Sequence, residues 1–460
     1  MSNQTAYVRH DDAPLLPPPP SEQGVMGWMW QNVFSSMSKF GTFGAAIGSI
    51  LMIILTVVFG FVLVWMTWKF LDFTIFSAVW TDPENLGGAI CSVEGVGACW
   101  PYIGKWFYGV MVGNEYPREE VWRVYSIYAM LAAGVTWLII EGLPYKKYAG
   151  IFMLTIFPIL AFVFLNGSPI DNGESFNIGS TWFPLAIGGI LLGLGLFGRH
   201  GSMGSVVEAF APALLVLSFV FIAYGVIPLF AGAIDSAFGF EVVRTARWGG
   251  LLVTLVVAIT GIIVSLPLGI LLALGRQSNA PIIKWCCIVF IEVVRGIPLI
   301  SVLFFASVML QYFLPSDFDF NKLLRALIGV ALFASAYMAE VIRGGLQAMP
   351  KGQYEGGQSV GLSYWQQMRL IILPQALTTV IPGIVNTFIG LFKDTTLVMI
   401  ISIFDVLGII QFKAGKDILW YSPVTGPTGY VFAALLFWVF CFGMSRYSLH
   451  MERKLHRGHR

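Results

Sequence analysis

Residues 354–377 read YEGGQSVGLSYWQQMRLIILPQAL. The stretch is polar at its start, amphipathic from Ser363 onward and closed by Pro374. It lies between two strongly apolar runs, 323–342 and 378–402, in a chain that is 57% hydrophobic. Only 11% of the 460 residues are Asp, Glu, Lys or Arg; soluble domains carry about 25%. That little charge cannot cover a soluble surface of this size. The chain therefore reads as an all-α polytopic membrane protein, and its polar interruptions are the informative places.

Apolar runs at or near spanning length recur along the chain. They fall at 45–68, 123–142, 151–167, 182–198, 207–231, 250–275, 286–313, 323–342, 378–402 and 430–448. About 10 transmembrane helices are expected, within a range of 8–10. Glycine and proline inside these runs do not argue against helices, because membrane helices tolerate both. A long polar and aromatic loop, 69–122, separates the first two runs. Residues 1–44 hold four consecutive prolines at 17–20 and no apolar leader, and are expected to form a disordered cytoplasmic tail.

Lys and Arg in short loops set orientation. With the N-terminus inside, the inner turns carry Lys146, Lys147, Arg199, Arg276, Lys284, Arg343, Lys351 and Arg369. The basic tail 449–460 is then inside as well. Both termini are expected in the cytoplasm, and 354–377 with them. The arrangement puts Cys91 and Cys99 outside, in CSVEGVGAC, where an oxidising compartment permits a disulfide between them. Two buried thiols are the alternative.

On these residues the chain resembles a known family. Glu355, Gly356, Gly357, Gly361, Ile371, Leu373 and Pro374 fall on the pattern E-A-A, three residues, G, nine residues, I-x-L-P. That is the cytoplasmic signature of bacterial ATP-binding-cassette importer permeases, here with glycine at both alanine positions. EVVRGIPLI at 292–300, YMAEVIRGGLQAMPKGQ at 337–353 and FKDTTLV at 392–398 are similar to segments of the polar amino acid permeases. The long front half, with CWPYI at 99–103, is similar to the large membrane subunit of the general L-amino acid importers. The resemblance implies a C-terminal five-helix type I permease core over 249–448, with a coupling loop at 343–375, behind an N-terminal transmembrane region at 45–248. It also implies the partners: a second homologous permease, a dimer of ATPase subunits, a periplasmic amino-acid-binding protein and an L-amino acid substrate, in the bacterial inner membrane.

The coupling stretch is expected to fold as two short helices around Gly361, with Glu355 as polar anchor. Glycines at 356 and 357 weaken the first helix by about 1 kcal/mol each, so it is expected to order mainly on the ATPase. A plain interfacial helix is the bland alternative. Two further groups are candidates for the substrate pathway. Glu292 and Arg295, three apart on one helical face, offer an acceptor and a donor to a zwitterion, or a structural ion pair near the inner interface. Asn386, Lys393 and Asp394 lie inside the 378–402 run, where charge is costly unless it faces a cavity or partner. A hinge or subunit-interface role competes for them.

The chain lacks G-x-x-x-x-G-K-[ST], so ATP hydrolysis is assigned to partner subunits and no catalytic residue is expected here. Neither metal ligands nor a cofactor is suggested, since the five histidines sit near the termini or in one loop. Interrupted spans with internal charges also fit an ion-coupled secondary amino acid transporter, which is the competing function.

Overall fold

The computed structural model describes residues 43–83, 86–140, 142–167, 183–199, 240–313 and 321–456, with isolated positions at 218, 222 and 226. The expected span at 207–231 and the N-terminal tail lie outside them. The described residues are helical apart from turns and isolated bridge residues, among them the pair Gly250 and Asp405. Among the described residues six helices are long and apolar enough to cross a membrane, and seven if one broken pair counts as a span.

Contacts divide the chain into two compact units. The first holds the residues up to Val79 together with Val93–Ala98. Its helix α1, Phe43–Leu71, contains no glycine–proline break, and its most apolar window has no buried residue. Around Val79 the chain folds back, with Val79 N–H donating to the Ala98 carbonyl and Ala98 N–H to that of Phe73.

The second unit holds Trp80–Ser92 and everything from Cys99. The long loop is not irregular throughout: it contains α2, Trp100–Val112, started by Pro101 in its first turn. Then come α3, Val121–Ile139, α4, Lys146–Asn166, and α5, Phe183–Arg199. Arg123 near the start of α3 is fully buried. It pairs with Glu120 at 2.9 Å, donates to the Glu241 carbonyl at 3.0 Å and lies 5.0 Å from the Phe240 ring centroid. These contacts tie the start of α3 to the chain that returns toward residue 250.

The remaining helices build the part that carries the polar interruption. They are α6, Gly250–Arg276; α7, Pro281–Gly296; α8, Leu299–Phe304, which runs on to Phe313; and α9, Lys322–Gln347. After the interruption come α13, Ile381–Asp394, and α14, Thr425–His456, the numbers α10–α12 belonging to the interruption itself. α9 is the central helix. Its buried face is rich in small residues, including Ala326, Gly329, Ala334, Ser335, Ala336 and Ala339. Small faces let membrane helices approach closely. Gly261 and Gly269 of α6 meet Val330 and Met338 of α9 in the same way.

The run at 286–313, in which Gly296 and Pro298 are expected to interrupt the helix, is broken there. Its halves, Pro281–Gly296 and Leu299–Met309, meet at 106°. Pro298 has no N–H to continue the helix and holds Ile297 extended, at φ −100° and ψ 137°.

One end of this unit is closed by backbone. Gly249 N–H donates to Val112 and Gly250 N–H to Phe404. Gly250 has φ +59°, and a Cβ there would overlap the Val110 carbonyl, so glycine is required. The other end carries the interruption.

Candidate functional site

Residues 351–379 form a compact elbow. α10, Lys351–Ser359, is followed by a turn in which Gly361 takes φ +76°. Gly361 and Leu362 return their N–H groups to the carbonyls of Gln358 and Gly357, closing the end of α10. Ser363 then caps α11, Tyr364–Gln367, in a reciprocal box with Gln366 at 3.0 and 3.4 Å. α11 widens into one π turn, Met368–Ile372, and continues as α12, Leu373–Thr379. Pro374 stands in the first turn of α12, where its missing N–H costs least.

The elbow has a rooted side and a free side. Met368, Ile372 and Ala376 are buried with Met338, Ala339, Ile342 and Leu346 of α9 and Ala273 and Leu274 of α6. Ile371 and Leu373 pack against the same cluster. Gly345 lets α9 and α12 touch, since a Cβ there would come within 2.6 Å of the Ala376 carbonyl. On the other side Glu355, Gly356, Gly361 and Pro374 are exposed, as are the apolar side chains of Val360, Tyr364 and Leu370.

The two glycines at the alanine positions differ. Gly356 has open space around it, whereas Gly357 is buried against Gln367. Gln367 is itself buried and donates to the carbonyls of Gln353 and Tyr354. α10 is helical here, and Gln367 is the side chain that ties its backbone to α11. Sequence reasoning missed this residue, although it lies one helical turn before Ile371 on the same face.

Glu292 and Arg295 do not pair with each other. Glu292 accepts from Arg276, the last residue of α6, at 2.8 Å, and Arg295 reaches Glu340 of α9 at 3.1 Å. Glu340 also lies 3.6 Å from Arg276 and binds Arg343, the local pair that its spacing predicts. The local i, i+3 geometry loses because neighbouring helices offer better-placed partners. The five charges bind α6, α7 and α9 together at the elbow end. Their side chains are 20–50% exposed, so each contact is worth little alone.

Asn386 and Lys393 are exposed on α13, two turns apart and so on one face, while Asp394 is half-buried. Among the described residues neither Lys393 nor Asp394 closes an ion pair. Their neighbour Phe392 is buried against Phe437 and Phe440 of α14. After Asp394 the helix tightens to a 3-10 turn through Ile401.

At the far end Cys91 and Cys99 are joined by a disulfide and both are buried. Ser422 Oγ donates to the Cys91 carbonyl at 2.6 Å, and Cys99 N–H donates to Thr428 Oγ1 at 3.0 Å. Gly88 N–H donates to the Leu419 carbonyl at 3.1 Å. Nearby Asp405 caps the helical turn Val406–Gly408 through Gly408 N–H at 2.9 Å. Its burial pushes the carboxyl up to about 7, against the lowering effect of the backbone donors.

Residues 265–457, from mid-α6 to just past the end of α14, match the family described as binding-protein-dependent transport system inner membrane component. The chain is 40% identical over 468 residues to the glutamate/glutamine/aspartate/asparagine transport system permease protein BztC of Rhodobacter capsulatus, with the whole of both chains covered. It is 55% identical over 221 residues to the inner membrane amino-acid ABC transporter permease protein YhdY of Escherichia coli K12, covering 48% of this chain and 59% of that one. A crystal structure of an amino acid ABC transporter with histidines aligns at 28% identity and a TM-score of 0.38, covering 45% of this chain and 92% of that one. With an elbow rooted in a helix bundle and a full-length relative of this identity, the chain belongs to the family of binding-protein-dependent transport system inner membrane components.

Proposed function

We propose that this chain is the permease subunit of an ATP-driven, binding-protein-dependent amino acid importer. It forms half of the translocation pathway beside a second, homologous permease. Two ATPase subunits act on the elbow, and a periplasmic binding protein delivers the amino acid. The likeness to BztC favours glutamate, glutamine, aspartate and asparagine as substrates. The elbow end faces the cytoplasm, as do both termini, because Arg276, Arg343, Lys351 and Arg369 gather there. The chain crosses the inner membrane about ten times, the five C-terminal crossings forming a type I permease core over 249–448.

The observation that carries this reading is the two-sided elbow. Glu355 is exposed on α10, while Met368, Ile372 and Ala376 fix α11 and α12 into the bundle. A push received at Glu355 thus reaches α6 and α9 through packed side chains. Gly361, in the left-handed region, supplies the sharp turn between the two halves. Glu292 and Arg295 act as part of the charge network that holds the elbow end shut. Asn386, Lys393 and Asp394 face the pathway, Lys393 as the contact for a carboxylate.

The test is the complete complex in liposomes, with the binding protein and amino acid supplied. Glu355→Lys is expected to leave membrane insertion intact and to abolish uptake at least tenfold relative to ATP hydrolysis. Normal uptake by this variant refutes the coupling role. Accumulation driven by an ion gradient without ATPase subunits refutes the importer reading as a whole.

A further inference from the structure

We infer that Gln367 is a positioning residue that makes the two halves of the elbow move as one body, and that the space left by Gly357 is what admits its side chain. The inference rests on the elbow being the coupling element. α10 has nine residues, three of them glycine at 352, 356 and 357. A helix this short and glycine-rich has little stability of its own. Its side-chain ties to the bundle are few: the Tyr354 hydroxyl donates to the Leu346 carbonyl at 3.4 Å, and its ring packs on the cluster below.

Gln367 supplies the missing link. Its Nε2 donates to the Gln353 carbonyl at 3.3 Å and to the Tyr354 carbonyl at 2.5 Å, the two residues that immediately precede Glu355. Gln367 is only 3% exposed, so its amide has no water to fall back on. A buried amide that loses its partners is costly, which keeps the contact closed. The next residue, Met368, is buried in the bundle. Motion at Glu355 is thereby handed from the backbone of α10 to the root of α11. An exposed tie, Gln375 Nε2 to Gln353 Oε1 at 3.2 Å, runs in parallel.

Gly357 sets the room for this contact. A Cβ at that position would lie 2.6 Å from Gln367 Nε2 and 2.9 Å from its Cδ and Cγ. The glutamine side chain would have to shift from its present place. A Cβ at Gly352, in the same helix, meets nothing within 4 Å. Both glycines are exchanged for a better helix former by Gly→Ala, so helix propensity alone predicts that either change holds or improves coupling. The clamp predicts opposite outcomes for the two.

The experiment measures amino acid uptake per ATP hydrolysed in the complete reconstituted complex. Gln367→Met keeps the length and removes the donor. Gln367→Met and Gly357→Ala are each expected to lower the ratio at least fivefold. The double variant is expected to be no worse than the stronger single, since both remove one contact. Gly352→Ala is expected to keep the ratio. The clamp is overturned when Gly357→Ala behaves like Gly352→Ala, or when Gln367→Met keeps its ratio. Should Gln367→Met not assemble, Gly357→Ala decides the matter alone. Glu355→Lys in the same assay separates the two levels of argument. If Glu355→Lys stays coupled, the elbow reading fails; if it uncouples while the other two do not, only the clamp fails.

Discussion

Removing the Cys91–Cys99 disulfide should loosen a defined patch rather than the whole molecule. The bond closes a sequence separation of eight residues. Loop-closure entropy for that length gives about 2.5 kcal/mol of restraint on the open chain. Converted at about 1.4 kcal/mol per tenfold, this is roughly a 60-fold increase in local opening. The amides to watch are Gly88 and Cys99, which donate to Leu419 and to Thr428. Because both sulfurs are buried, a reductant is a poor probe, and Cys91→Ser with Cys99→Ser is the cleaner perturbation. Hydrogen exchange of the purified complex reads the result, since local openings appear in it directly. Peptides covering 86–99 and 417–428 should exchange tens of times faster, with the elbow unchanged. Equal exchange with and without the bond would show that packing around Tyr102 and Ala414 holds this patch and that the entropy argument does not apply.

Three further changes have expected outcomes. Gly361→Val places a β-branched residue at φ +76°, a strain of about 1–3 kcal/mol. Uptake should fall at least tenfold, and Gly361→Asn, which tolerates that region better, should lose less. Glu340→Gln removes the carboxylate shared by Arg276, Arg295 and Arg343. With these side chains partly exposed the cost is about 1–2 kcal/mol, read as a lower thermal midpoint, and an unchanged midpoint would rule the network out as a fastener. Asp405 is pushed up to about 7, above the ordinary carboxylate value of about 3.9. The folded chain thus keeps a proton that the unfolded chain releases. Stability falls as pH rises from about 4 to about 7, by about 4 kcal/mol, and is level above that. Asp405→Asn should flatten the thermal midpoint across this window.

The elbow was legible because its residues act through neighbours in sequence. Gly361 and Pro374 each restrict local backbone, so the turn and the helix boundary follow from residue type, whereas the cap by Ser363 emerged only from the structure. Gly296 and Pro298 likewise announce an interruption, although not its angle of 106°. What the sequence withheld was partner choice across helices. Glu292 has Arg295 at helical spacing, yet Arg276 arrives from another helix sixteen residues earlier. Gln367 looked like one more polar residue of an amphipathic segment until Gly357 was seen against it. The front half was harder still, because α2 is recognisable as a helix only through what it packs upon.

That packing has a consequence for how the protein is made. α2 reaches its final neighbours only when residues far downstream exist: Val110 lies with Leu251, Val406, Ile410 and Ala433, and Tyr102 with Ala414. At about 5–20 residues per second, roughly 15–65 s separate the synthesis of α2 from that of Ala433. The nine-residue ring from Cys91 to Cys99, by contrast, needs nothing downstream to close. Synthesis therefore delivers a loop that can close by itself first and the helix that will receive it last, so an arrest in α14 leaves α2 and the 91–99 ring without part of their seat.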